Sequence, residues 1–122
     1  MDRNAPEYYL EGTEEAAASA HAFVRYVRGK GLSRLQPVLT PRFLPTCSPA
    51  LLRALGELAA QHCVAVTSHI AESYDESAFV RQLEGQEVSE VALFDAAGLL
   101  TNQVGWLACM LACVRACLCV HA

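Results

Sequence analysis

The chain has 122 residues, enough for one modest domain. Hydrophobic residues make up 53% of it and the mean hydropathy is +0.24, which excludes a disordered polymer. A net charge of −4 with scattered Lys and Arg excludes both the basic face of a nucleic-acid binder and a polybasic membrane signal.

The opening MDRNAPEYY is polar and aromatic, so no secretory leader is expected. Thr13–Gly29 then has helical spacing. Thr13 suits the N-cap, Glu14 and Glu15 the first turn, and Arg25 and Arg28 the last. Ala16, Ala20, Phe23, Val24 and Val27 form one apolar stripe, and Gly29 or Gly31 ends it. Leu35–Leu39 is a short strand candidate, opposed mildly by Pro37, which donates no ladder bond. Ser48–Gln61 is a strong helix. Ser48 caps it, Pro49 starts it, and Leu51, Leu55 and Leu58 mark its buried face. Cys63–Ser68 has the continuous apolar character of a strand buried on both faces. Tyr74–Leu83 is a further helix with Phe79, Val80 and Leu83 inward, and Val88–Ala97 a last short helix or turn capped by Gly98.

Strands separated by a helix imply right-handed βαβ units and a parallel sheet, hence an α/β fold. Two strands close no sheet, so the chain reads as roughly a quarter to a third of a barrel. In such folds the loops after the strands carry the chemistry. One of these loops holds Arg42 and Phe43; the other holds His69 and Glu72. A His at a strand end can offer an imidazole nitrogen to a metal, and a Glu three residues on can move protons in the same pocket. Arg42 offers a planar fork for a purine O6/N7 edge, and Phe43 a flat face for a ring. The His-x-x-Glu spacing alone equally suits an ordinary surface pair, Arg42 a solvated loop cation and Phe43 the core. His21 and His62 flank helices and read as structural.

Taken in order, MDRNAPEYY, TEE, PVLTPRFLPTCSPALL, VTSHIAES and LLTN resemble the guanine deaminase family of the amidohydrolase superfamily, over about Met1–Val104. The resemblance implies a partial (β/α)8 TIM-like barrel of the metal-dependent hydrolase type, covering about the third to sixth βα units. It implies zinc as cofactor, His69 as a zinc ligand that also faces substrate, and Glu72 as the catalytic proton shuttle. Arg42 and Phe43 then hold guanine. The implied reaction is hydrolytic deamination of guanine to xanthine and ammonia, a step of purine catabolism in the cytoplasm, in an enzyme that is a homodimer at full length. The resemblance further implies that a bound zinc would activate the water for attack at C2, with the carboxylate relaying a proton to the departing amine and the arginine steadying charge in the ring.

The family pattern also has a His-x-His pair, which this sequence lacks, and a later His where Ala108 falls; its aspartate ligand lies beyond Ala122. One zinc-ligand candidate does not hold a catalytic zinc, so a fragment inactive alone is expected. The alternatives are another amidohydrolase deaminase acting on a related ring, or a non-catalytic truncated isoform that binds a partner. The division expected is 1–104 as partial barrel and 105–122 as a divergent apolar tail. That tail carries Cys109, Cys113, Cys117 and Cys119, without C-x-x-C zinc spacing. It reads as sequence foreign to a barrel, such as an intron read through or a frame shift, in preference to a membrane or acylation anchor. Free thiols in a reducing cytosol are expected, as is poor folding of the isolated chain through its open sheet edges.

Overall fold

The computed structural model describes residues 1–85 and 88–100. Helix α1 (Thr13–Gly29) has the bounds its periodicity predicts. Its N-cap is Gly12, however, and Thr13 is the first helical residue. The Thr13 hydroxyl is engaged elsewhere, donating to Asp2 at 2.7 Å. Val24 and Val27 are buried, Ala16 and Ala20 pack at the edge of the core, and Phe23 is 47% exposed. The stripe is therefore narrower than the one read from the sequence. At the other end Lys30 is the C-cap, and Gly31 takes the left-handed conformation at φ 64°.

Strand β1 is only Val38–Leu39, beginning immediately after Pro37. Residues 35–37 stay outside the ladder, as a donorless proline and its neighbours would. Helix α2 (Pro49–His62) is capped by the Ser48 hydroxyl, which accepts from the Leu51 N–H at 3.1 Å. Leu51, Leu52, Leu55, Leu58 and Ala59 are buried. Strand β2 (Ala65–Val66) pairs with β1 in parallel, in the register Val38 with Ala65 and Leu39 with Val66. The burial alternates: Val64, Val66 and Ser68 are buried, while Ala65 and Thr67 are intermediate. The expectation of a strand buried on both faces is corrected to one buried face. Helix α3 (Tyr74–Glu84) turns only Val80 fully inward; Phe79 and Leu83 are 38% and 37% exposed. Helix α4 (Glu90–Ala96) places Phe94 at the centre of the core with no exposed surface. Ala97 is its C-cap and Gly98, at φ 70°, makes the left-handed turn after it.

Among the described residues the architecture is helix, strand, helix, strand, helix, helix, the order read from the sequence, with two added 3₁₀ turns at Glu7–Tyr9 and Leu44–Thr46. The sheet they contain has two strands. The core joins Val24 of α1, Leu39 of β1, the leucines of α2, Val66 of β2, Val80 and Phe94. Gly56 lets α2 lie directly on the turn after α4, because a Cβ there would land on the Ala97 carbonyl. The tail expected at residues 105–122, and its boundary, lie outside the described residues.

The first four residues brace the other elements. The Asp2 carboxylate accepts from the Ser48 N–H at 2.7 Å, from the Ser48 hydroxyl and from the Thr13 hydroxyl, so it joins the starts of α1 and α2. The Asp2 N–H reaches the Thr46 carbonyl at 3.2 Å, and the Asn4 amide donates to the Pro45 carbonyl at 2.8 Å. Arg3 donates to the Leu44 carbonyl at 2.8 Å and pairs with Glu84 of α3 at 2.6 Å. Burial raises the Asp2 pKa, but the Ser48 and Thr13 hydrogen bonds outweigh it and hold the carboxyl below its ordinary value.

A carboxylate with a lowered folded pKa contributes stability above its unfolded pKa and loses it as pH falls through the folded value. Asp2→Asn is expected to cost about 1–2 kcal/mol at neutral pH by loss of charge-assisted bonds, with the difference closing in acid below about pH 4. Urea unfolding of both chains across pH checks this. Gly56→Ala is expected to cost about 1–3 kcal/mol through overpacking; an unchanged urea midpoint would remove the close α2–α4 contact.

Candidate functional site at the strand ends

Both candidate loops leave the same end of the sheet. The Thr67 N–H donates to the Leu39 carbonyl at 2.9 Å, and the His69 N–H to the Arg42 carbonyl at 2.9 Å. Between these bonds the chain advances two residues after β2 but three after β1. The extra residue acts as a bulge does: it re-aims the side chains that follow. Pro41, buried and without an N–H, occupies this offset. Arg42 is consequently exposed and Phe43 half-buried. The guanidinium lies over the Phe43 ring, 5.4 Å from its centre, in a cation–π arrangement. The Met1 sulfur is 3.8 Å from the Arg42 guanidinium.

One carbonyl oxygen organises the pair of loops. Besides the His69 N–H, the Arg42 oxygen has the His69 Nδ1 at 2.9 Å and the Ser68 hydroxyl at 3.3 Å, which it shares with the His69 carbonyl at the same distance. A carbonyl only accepts, so Nδ1 carries the proton there. Nε2 is left with its lone pair, the form in which histidine binds a metal or accepts a proton. Ser68 is 2% exposed, which fixes the backbone just before the imidazole.

The structure brings Arg42, Phe43 and His69 together at this junction. Glu72 lies further along the second loop and is exposed, and no hydrogen bond or ion pair joins its carboxylate to His69 or Arg42. Its backbone N–H donates to Glu76 at 3.2 Å. Just before Glu72, Ala71 adopts φ 50°, a left-handed conformation that an L-residue favours little. The Ala71 N–H is held there by the Glu90 carboxylate at 3.1 Å, which also accepts from the Ser77 hydroxyl at 2.9 Å. Sequence reasoning did not find Glu90, Glu76, Asp2 or Ser68. Glu90 and Asp2 act through distant pairings that spacing does not reveal. Ser68 precedes His69 directly, and its place at the end of an apolar run was the available signal.

Glu76 has a cost in this loop. One carboxylate oxygen is buried and without a hydrogen-bond partner. Burial, then the charges of Glu90 and Glu72, raise its pKa, against the opposing effects of the Glu72 N–H and His69.

A cavity of about 340 Å³ opens beside this junction, lined by Met1, Glu11, Phe23, Arg42, Cys47 and Leu51 among others. Arg42 is the one candidate site residue on its wall. Among the described residues no three His, Cys, Asp or Glu side chains group to hold a metal. His69 fits as one metal donor, since its Nε2 lone pair is free while Nδ1 is tied; the described residues do not supply a complete site. No helix among them is long and apolar enough to cross a membrane. Cys47 is buried and Cys63 exposed, both as free thiols.

No family model matches the chain. It is 39% identical over 83 residues to guanine deaminase of Dictyostelium discoideum, covering 68% of this chain and 18% of that protein. It is 37% identical over 98 residues to guanine deaminase of Homo sapiens, covering 80% of this chain and 21% of that protein. The crystal structure of guanine deaminase from C. acetobutylicum, with guanine bound in its active site, superposes with a TM-score of 0.81 at 29% identity, over 94% of this chain and 27% of that one. A triazine hydrolase from Arthobacter aurescens shares the fold, with a TM-score of 0.69 at 15% identity over 86% of this chain and 23% of that one.

The fold is thus one found in amidohydrolases. Within that class the chain resembles part of a guanine deaminase, and it spans about a fifth of the curated relatives it matches.

Glu76→Gln is expected to stabilise the chain at neutral pH, because it removes a carboxylate whose folded pKa is raised. The sign follows from proton binding: with a raised folded pKa, stability is lost as pH climbs from the unfolded to the folded value. The gain is expected to vanish in acid, where both states are protonated; a gain independent of pH in urea unfolding would contradict the assignment.

Proposed function

We propose that this chain carries the purine-holding and proton-moving part of a guanine deaminase site, on about the third to sixth βα units of a (β/α)8 barrel, with 1–104 as the barrel segment. The observation that carries the reading is the Arg42 carbonyl: it ties the TPRF loop to His69, so that the purine-holding pair and the imidazole stand at one end of the sheet. The resemblance to guanine deaminases gives this arrangement its substrate.

Each residue has a role that its surroundings suit. Arg42 is exposed, and its planar fork can donate to the O6 and N7 acceptors of guanine. The same charge, near the carbonyl edge, steadies electron density pushed into the ring as C2 becomes tetrahedral. Phe43 presents a ring face for stacking while the guanidinium over it keeps the two side chains in register. His69 has Nδ1 tied to the Arg42 carbonyl, which suits Nε2 to serve the site as a ligand. Glu72 is solvent-accessible and reaches the site by loop and rotamer adjustment; there it takes a proton from water and passes it to the departing amine.

The cofactor implied is zinc, with His69 as one of its ligands; when bound, zinc lowers the pKa of water to about 7. The described residues provide that single donor, so the chain by itself is proposed to be inactive. At full length the enzyme is proposed to be a cytosolic homodimer of purine catabolism, a setting in which the free Cys47 and Cys63 would remain reduced.

The test is a chimaera in which residues 1–104 of this chain replace the matching stretch of the E. coli guanine deaminase, whose own sequence supplies the remaining metal ligands. The chimaera is expected to convert guanine to xanthine. Glu72→Gln is expected to lower kcat by about 10²–10⁴-fold, the usual contribution of a positioned general base. Arg42→Ala is expected chiefly to raise KM for guanine. A folded chimaera that prefers a ring lacking the O6 carbonyl, or whose kcat ignores Glu72→Gln, would overturn the reading.

A further inference from the structure

A second pair of potential ligands lies between α1 and α2, apart from the strand ends. His21 projects from the middle of α1 and His62 from the last turn of α2, and both are half-buried. Their ring centres are 5.0 Å apart and the rings are tilted by 43°. The His62 Nε2 is buried and has no hydrogen-bond partner. A buried imidazole nitrogen without a partner is costly, and one that a cation satisfies is not.

The geometry points to a two-histidine site for a first-row divalent cation of the imidazole-preferring kind, Zn²⁺, Ni²⁺ or Cu²⁺. An ion about 2.1 Å from one nitrogen of each ring stands about 3.2 Å from each ring centre, and a near-tetrahedral angle then puts the centres about 5 Å apart. The observed 5.0 Å separation has about this value, and binding requires the rings to turn one nitrogen of each towards a shared point open to water. His62 closes α2 at the negative end of the helix dipole, where the N–H groups of Cys63 and Val64 and the Arg28 guanidinium already take the Ala60, Ala59 and His62 carbonyls. Arg28 donates to the His62 carbonyl and leaves the imidazole free. With two protein ligands the remaining positions fall to water, so the site is weaker than a four-ligand structural zinc centre. A bound ion ties the middle of α1 to the end of α2 and stabilises the folded chain through mass action.

The test is a Ni²⁺ titration of the whole chain, read from the assigned imidazole NMR signals. The His21 and His62 rings are expected to broaden together, at a lower Ni²⁺ concentration than His69. In His21→Gln the early broadening of His62 is expected to disappear, and in His62→Gln that of His21. Mg²⁺, a hard cation that prefers oxygen, is expected to leave both rings unmoved. If the two rings broaden no earlier than His69, or one keeps its response after the other is replaced, there is no shared site. The first of these outcomes is read on the unsubstituted chain and stands even if a variant fails to fold.

Discussion

The oxygen of Arg42 is the point on which the two loops depend. It takes the backbone N–H and the ring of His69 and the hydroxyl of Ser68. A carbonyl satisfied this fully has little freedom, and the backbone that bears it must hold Phe43 beside the same junction. The sheet beneath contributes only a short parallel ladder, Val38–Leu39 against Ala65–Val66. Most of the mutual placement of the loops therefore comes from bonds beyond the ladder, made after the one-residue offset at Pro41.

Support from outside the junction comes from the first four residues and from Glu90. Asp2 binds the starts of α1 and α2, and Arg3 bridges the Leu44 carbonyl to Glu84. On the other side Glu90 holds Ala71 in a left-handed turn, and Glu76 keeps a buried, unpartnered oxygen beside two other carboxylates. Strained backbone and crowded like charge are costly, and such costs gather where a loop must hold functional side chains in one arrangement. The Glu72 loop has both features, the TPRF loop neither.

The helices were legible because their signals are local. Thr13–Gly29 has its predicted limits, and Ser48 with Pro49 marks the start of α2 as capping chemistry requires. The strands were legible in position but not in extent: Pro37 confines β1 to two residues. Burial was less legible than periodicity. Phe23, Phe79 and Leu83 carry the pattern of a core face and are substantially exposed, since apolar spacing says which face is apolar without saying what covers it. Thr13 shows a further limit. Its side chain satisfies Asp2 in place of its own helix, a choice made by a residue eleven positions away. At the candidate site, the residue types and the strand-end positions of Arg42, Phe43, His69 and Glu72 were readable. The carbonyl that joins two of them was not, because it depends on the offset between the strands.

The tautomer of His69 tests the central claim most directly. Nitrogen-15 chemical shifts of the imidazole, recorded on the whole chain at a pH where the ring is neutral, distinguish a proton on Nδ1 from one on Nε2. The Arg42 clamp requires Nδ1–H, with a ring amide-like coupling to an accepting oxygen and a bare Nε2. An Nε2–H ring, or rapid exchange between the two tautomers, would mean that the carbonyl does not hold the imidazole and that the two loops are not joined as described.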